Sequence, residues 1–132
     1  MRGLIFSMAL AAFAGAAAAG AADKPISPDA WRALTAGKTL YYYKDGELYG
    51  REYYVDDTGD VVFRFPNGLC AEGRWAYAEG KYCFAFGPEL HCFHHVKRGD
   101  DIVVIGEDEG DEQTVERIVD HEPLSCARAV ES

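Results

Sequence analysis

From Lys38 to Asp120 the chain repeats one pattern, a short run rich in Tyr, Phe, Val and Leu followed by a turn signal, at intervals of about ten residues. The runs are Thr39–Tyr43, Leu48–Val55, Val61–Phe65, Leu69–Ala78, Lys81–Phe86, Leu90–Lys97, Asp101–Gly106 and Thr114–Asp120. Between them stand Asp45-Gly46, Thr58-Gly59, Pro66-Asn67-Gly68, Glu79-Gly80, Gly87-Pro88 and Arg98-Gly99, with the acidic stretch Glu107 to Glu112 before the last run. Turns this tight join antiparallel neighbours. The rhythm predicts a mainly all-β fold: an antiparallel meander of about eight strands, closed into a small barrel that leaves no exposed edge. An open sandwich is the alternative. Ahead of the strands, Ser27 as N-cap, Pro28 at the first helical position and Gly37 as stop predict one short N-terminal helix. Its Trp31 and Leu34 share a face and are expected to pack as a lid on the sheet.

The front of the chain has a different composition. Arg2, the apolar run Leu4 to Phe13 and the small-residue tract Ala14 to Ala22 predict a signal peptide over residues 1–22, cleaved between residues 20 and 23. No Cys lies near that junction to carry a lipid anchor, and no later apolar run is long enough to span a bilayer. Residues 23–132 are then a single disulfide-linked β domain, periplasmic or secreted, with no membrane contact expected after cleavage. A chain of 132 residues has no room for a multidomain enzyme. The formal net charge is −9, and the leader removes one Arg and no acid. Nucleic acid and anionic membranes are therefore poor partners, because phosphate binding needs clustered Lys and Arg.

Four cysteines follow the leader, Cys70, Cys83, Cys92 and Cys126, an even count that suggests two disulfides in an exported domain with a small core. Two-residue turns at Glu79-Gly80 and Gly87-Pro88 set Trp75 opposite Phe84, Tyr77 opposite Tyr82, Phe84 opposite His91, and Cys83 opposite Cys92. The same register leaves Cys70 roughly 20 Å from the position facing Cys83. The expected bonds are thus Cys83–Cys92 and, by elimination, Cys70–Cys126.

Few motifs carry chemistry. His91, His94 and His95 would share a helical face, but in a strand His94 and His95 point to opposite sides, so no metal site is expected. The acidic stretch Glu107 to Glu112 and the turn Asp56 to Asp60 lack the spacing of a helix-loop-helix calcium site and read as solvated loops. No nucleophile elbow, zinc-protease motif or phosphate-binding loop occurs, and carboxylates such as Glu52 and Glu72 carry no mark of a catalytic pair. No catalytic residue and no cofactor is expected. The aromatic face remains: Trp75, Tyr77, Tyr82, Phe84, His91 and Phe93 are the candidate ligand-binding residues. Phe86, Tyr41, Tyr43, Tyr53 and Phe63 are possible additions. Tyr hydroxyls and an imidazole on one face are awkward in a dry core, since each buried polar tip needs a partner. A barrel of this size is either filled by side chains or holds one small ligand.

Gly73-Arg74-Trp75, with Asn67-Gly68-Leu69-Cys70 before it and Tyr82-Cys83-Phe84 and His91-Cys92-Phe93 after it, resembles small exported bacterial β-rich proteins of uncharacterised function. The resemblance covers about residues 35 to 98 and carries over no catalytic residue. The G-x-W element is also similar to the opening of lipocalin-like barrels, where it begins the first strand, whereas here it falls mid-chain. The functional expectation is an exported non-enzymatic binding module for a small apolar or aromatic molecule. The alternatives are an inhibitor or accessory subunit docking on a basic protein partner, and a small acid-base hydrolase. Oligomeric state is not readable from the sequence.

Overall fold

The computed structural model describes residues 22–127, so the expected leader lies outside it except for Ala22. Among the described residues the elements are β1 (Lys24–Pro25), α1 (Pro28–Thr35), β2 (Lys38–Lys44), β3 (Glu47–Tyr54), β4 (Asp60–Arg64), β5 (Cys70–Ala78), β6 (Lys81–Phe86), β7 (Glu89–Arg98), β8 (Asp101–Ile105) and β9 (Glu112–Asp120). From β2 to β9 each strand pairs antiparallel with its chain neighbour, and β9 returns to pair with β2. The result is a closed eight-stranded barrel preceded by one short helix, which removes the open-sandwich alternative. Closure requires the sheet to bend at its seam. There β2 shifts register against β3 between Tyr42 and Tyr43, and against β9 between Tyr41 and Tyr42. Bulges of this kind bend a strand and increase its twist.

Turn chemistry sets the registers. Glu79 and Gly80 both have positive φ, 53° and 80°, as a two-residue hairpin turn of the primed type demands. Trp75 consequently faces Phe84, and Tyr77 faces Tyr82. In the next hairpin Phe84 faces His91 and Cys83 faces Cys92. Cys83 and Cys92 are bonded across a Cα separation of 4.0 Å, the close approach expected of a non-hydrogen-bonded pair. Cys70 is bonded to Cys126. That second bond ends a strap, residues 121–127, which crosses the outer wall. Along it Tyr41 Oη donates to the Glu122 carboxylate at 2.5 Å, Thr39 Oγ1 to the Glu122 carbonyl at 2.8 Å, and Arg64 Nε to the Ser125 carbonyl at 2.7 Å.

Helix α1 closes one end of the barrel. Ser27 Oγ accepts from the Ala30 N–H, Pro28 occupies the first turn, and the helix drops Trp31, fully buried, among Tyr54, Tyr82 and His95. The segment before it is stitched to the same end. β1 pairs with β7 at Val96 and Lys97, past the point where β6 has turned away, and Tyr82 Oη donates to the Ile26 carbonyl at 2.7 Å. This two-residue strand contains a Pro and is exposed, so it has no alternation to read in the sequence.

Candidate functional site

Alternation along the strands turns Tyr42, Glu52, Phe63, Ala71, Phe84, Phe93, Val104 and Gln113 to the inside of the barrel. Together they enclose an open cavity of about 780 Å³. Its outermost lining comes from the strand ends away from Trp31: Lys44 of β2, Tyr49 of β3, Phe86 of β6 and Glu89 of β7. The cavity therefore opens opposite the helical plug. Exposure sorts the lining by depth. Tyr42, Glu52, Phe84, His95, Val104 and Gln113 are buried and form the floor. Phe63, Phe86 and Phe93 are part-buried walls, while Tyr49, Phe65 and Leu90 are exposed at the rim, Leu90 by 65%.

Two glycines shape these walls. A Cβ on Gly50 would collide with the Phe63 ring, and one on Gly73 would meet Phe86 and the Ala85 carbonyl at 2.5 Å. With no side chain at these strand positions, the two rings fold over the wall. That is the physical content of Gly73-Arg74-Trp75. Gly73 makes room for Phe86 toward the mouth, and Trp75 packs on Tyr54 and Tyr82 toward the plug.

The floor is polar where a filled core would be apolar. Tyr42 Oη donates to Glu52 Oε1 at 2.9 Å and lies 3.2 Å from Tyr54 Oη. Glu52 is only 3% exposed, and burial pushes its pKa up to about 7 against the opposing hydrogen bonds of Tyr54 and Tyr42. His95 stacks on Tyr82 at 4.2 Å between ring centroids and touches Trp31 at the same distance. Burial first, and the neighbouring His94 second, lower its pKa to about 3, so the ring is neutral. Its Nδ1 has no hydrogen-bond partner among the described residues.

The candidate residues read from the sequence divide between the two ends. Phe84, His91 and Phe93 line the cavity, His91 at the exposed rim. Trp75 and Tyr82 belong to the plugged end, and Tyr77 is 42% exposed. Of the further aromatics, Phe63 and Phe86 are walls. Tyr41, Tyr43 and Tyr53 fall on the opposite face of their strands from Tyr42 and Glu52, and Tyr41 is buried beneath the strap. Glu52 and Glu72 are not brought together, because Glu72 is exposed on the outer face of β5. The histidines separate as the strand setting requires, His94 exposed and His95 buried, and no group of three or more His, Cys, Asp or Glu among the described residues is arranged to hold a metal ion. The acidic loops are partly engaged by ion pairs, Asp111 with Lys44 at 2.8 Å and Asp57 with Arg32 at 3.6 Å.

Of the floor residues only Phe84 is a ligand-binding candidate from the sequence; Tyr42, Glu52, His95, Val104 and Gln113 are not, and Glu52 and His95 are the acid and the base among them. For Glu52 the turn alone misleads: continued from Asp45-Gly46, its register would set Glu52 opposite Thr39, and the bulge between Tyr42 and Tyr43 moves it opposite Leu40, on the face that carries Tyr54. Their titration has a measurable consequence. Glu52 binds its proton more tightly folded than unfolded, so its contribution is complete below pH 4.5 and is lost as the pH rises through about 7. His95 behaves oppositely, contributing fully above pH 6.5 and losing that as the pH falls through about 3. Between pH 4.5 and 6.5 the two slopes cancel. Glu52→Gln removes one of them. Its stability relative to the parent is expected to rise with pH by about 2 kcal/mol across that window, since a full proton difference gives about 1.4 kcal/mol per unit. Urea denaturation at both ends of the window measures it, and parallel curves would contradict a buried, titrating Glu52.

No match to the chain was found among protein-family models, curated proteins or solved structures.

Proposed function

We propose that this protein is an exported binding module, a lipocalin-like calyx that takes one small molecule with apolar or aromatic surface into the barrel from the end opposite α1. The observation that carries the reading is the asymmetry of the barrel: Trp31 seals one end, and an aromatic-walled cavity of about 780 Å³ opens at the other. Pockets for small ligands are concave and mostly apolar, with a few polar groups that fix orientation, and Glu52, Tyr42, His95 and Gln113 are such groups. Exposed Tyr49, Phe65 and Leu90 around the mouth give an apolar ligand an entry surface. Periplasmic or secreted location accords with the leader expected from the sequence and with the two disulfides.

Ala71 provides a direct test, because it lies on the inner face of β5 in the cavity wall. The neutral fluorescent probe N-phenyl-1-naphthylamine is expected to bind the parent. Ala71→Trp, which fills the lumen without removing any packed group, is expected to weaken that binding roughly tenfold or more. The melting temperature should change little. Failure of the parent to bind the probe would remove the calyx reading and favour docking on a protein partner.

A further inference from the structure

Resting on that calyx reading, we infer that the ligand is a small organic cation, an aromatic amine whose ammonium group pairs with the Glu52 carboxylate on the cavity floor. Glu52 is nearly completely buried yet lines the cavity, and no ion pair to it is formed by any Lys or Arg among the described residues. Lys44 stands at the mouth, bound to Asp111 at 2.8 Å, and Arg51 lies outside the barrel, against the Tyr41 ring and Glu122. An ionised carboxyl is acceptor-only and costly to bury without a counter-charge, so the floor lacks what a bound cation would supply.

The surroundings agree with this polarity. From β2 and β3 the groups facing Glu52 are the phenols of Tyr42 and Tyr54. On β7 stands His95, neutral, with one ring nitrogen unpartnered, and on β9 the uncharged Gln113. None of these brings a positive charge. The aromatic walls, Phe63, Phe84, Phe86 and Phe93, supply rings whose π faces attract cations. At the mouth Lys44 pairs with Asp111 and Lys81 with Glu107, so Glu89 and Asp108 leave a net negative charge that raises the local concentration of a cationic ligand and repels an anionic one.

Three probes of nearly equal shape test the inference: tryptamine, neutral 3-ethylindole and anionic indole-3-propionate, titrated by calorimetry into the parent and into Glu52→Gln. Tryptamine is expected to bind the parent roughly tenfold or more tightly than indole-3-propionate. Glu52→Gln should weaken tryptamine roughly tenfold, leaving 3-ethylindole and N-phenyl-1-naphthylamine within about twofold. Retained binding of the neutral probes shows that the variant is folded and its cavity open. Tyr42→Phe, which keeps the carboxylate and removes its internal donor, should keep the tryptamine preference. Equal binding of all three probes, or a tryptamine affinity that Glu52→Gln does not change, overturns the cation assignment and leaves the calyx standing. No binding of any probe, N-phenyl-1-naphthylamine included, overturns both.

Discussion

Trp31→Ala is expected to destabilise the protein by about 3–5 kcal/mol, the usual cost of truncating a large buried aromatic. Trp31 is the largest fully buried side chain among the described residues, and α1 sets it in the barrel end, where it contacts Tyr54, Tyr82 and His95 at once. Those three residues come from β3, β6 and β7, so one side chain ties strands on different sides of the barrel. The end of the barrel cannot collapse onto the space left behind, because the closed hydrogen-bonded ring of strands fixes its diameter. A loss of this size corresponds to a fall in melting temperature of more than about 10 °C for a domain of this length. Thermal and urea denaturation measure it. A cost below about 1 kcal/mol would mean that α1 rests on the surface and plugs nothing.

Removing the Cys70–Cys126 bond by the double substitution Cys70→Ser and Cys126→Ser should cost about 4 kcal/mol. The bond closes a loop of 56 residues, and the chain-entropy relation scales with the logarithm of that length. The Cys83–Cys92 bond closes only 9 residues and should contribute less, about 2.5 kcal/mol. The difference has a structural counterpart. Without Cys70–Cys126 the strap retains the Tyr41–Glu122 and Thr39–Glu122 hydrogen bonds, but the end held at Gly68 by the Ala127 N–H loses its covalent anchor. Urea denaturation of the two double variants gives the order directly, and a larger loss from the short hairpin bond would contradict it.

The barrel was largely legible because its turns announce themselves. Glu79-Gly80 and Gly87-Pro88 fix two registers, and those registers place Cys83 beside Cys92 without any knowledge of the tertiary structure. Closure is expected from the eight-strand rhythm, but the two bulges in β2 were not legible, since Tyr41-Tyr42-Tyr43 gives no local sign of which residue is extra. The candidate site was legible by half. Phe84 and Phe93 could be placed on one face by hairpin pairing alone, but Trp75 and Tyr82 share that face while sitting at the plugged end. Depth along a barrel axis depends on what covers each end, and that is decided by Trp31, more than forty positions earlier in the chain than either Trp75 or Tyr82. Glu52 was hidden for a related reason. A single Glu among several acids is unremarkable until the barrel buries it and sets its carboxylate against the Tyr42 hydroxyl, with that of Tyr54 beside it.

The central claim is that the barrel is hollow at one end and takes a small molecule there. Two-dimensional NMR of the labelled protein during titration with N-phenyl-1-naphthylamine tests it most directly. The account predicts shifts concentrated at Phe84, Phe86, Phe93 and Val104, which line the cavity, with little change at Tyr53 and Val62 on the outer wall. Shifts confined to the outer wall, or none at any probe concentration, would contradict it.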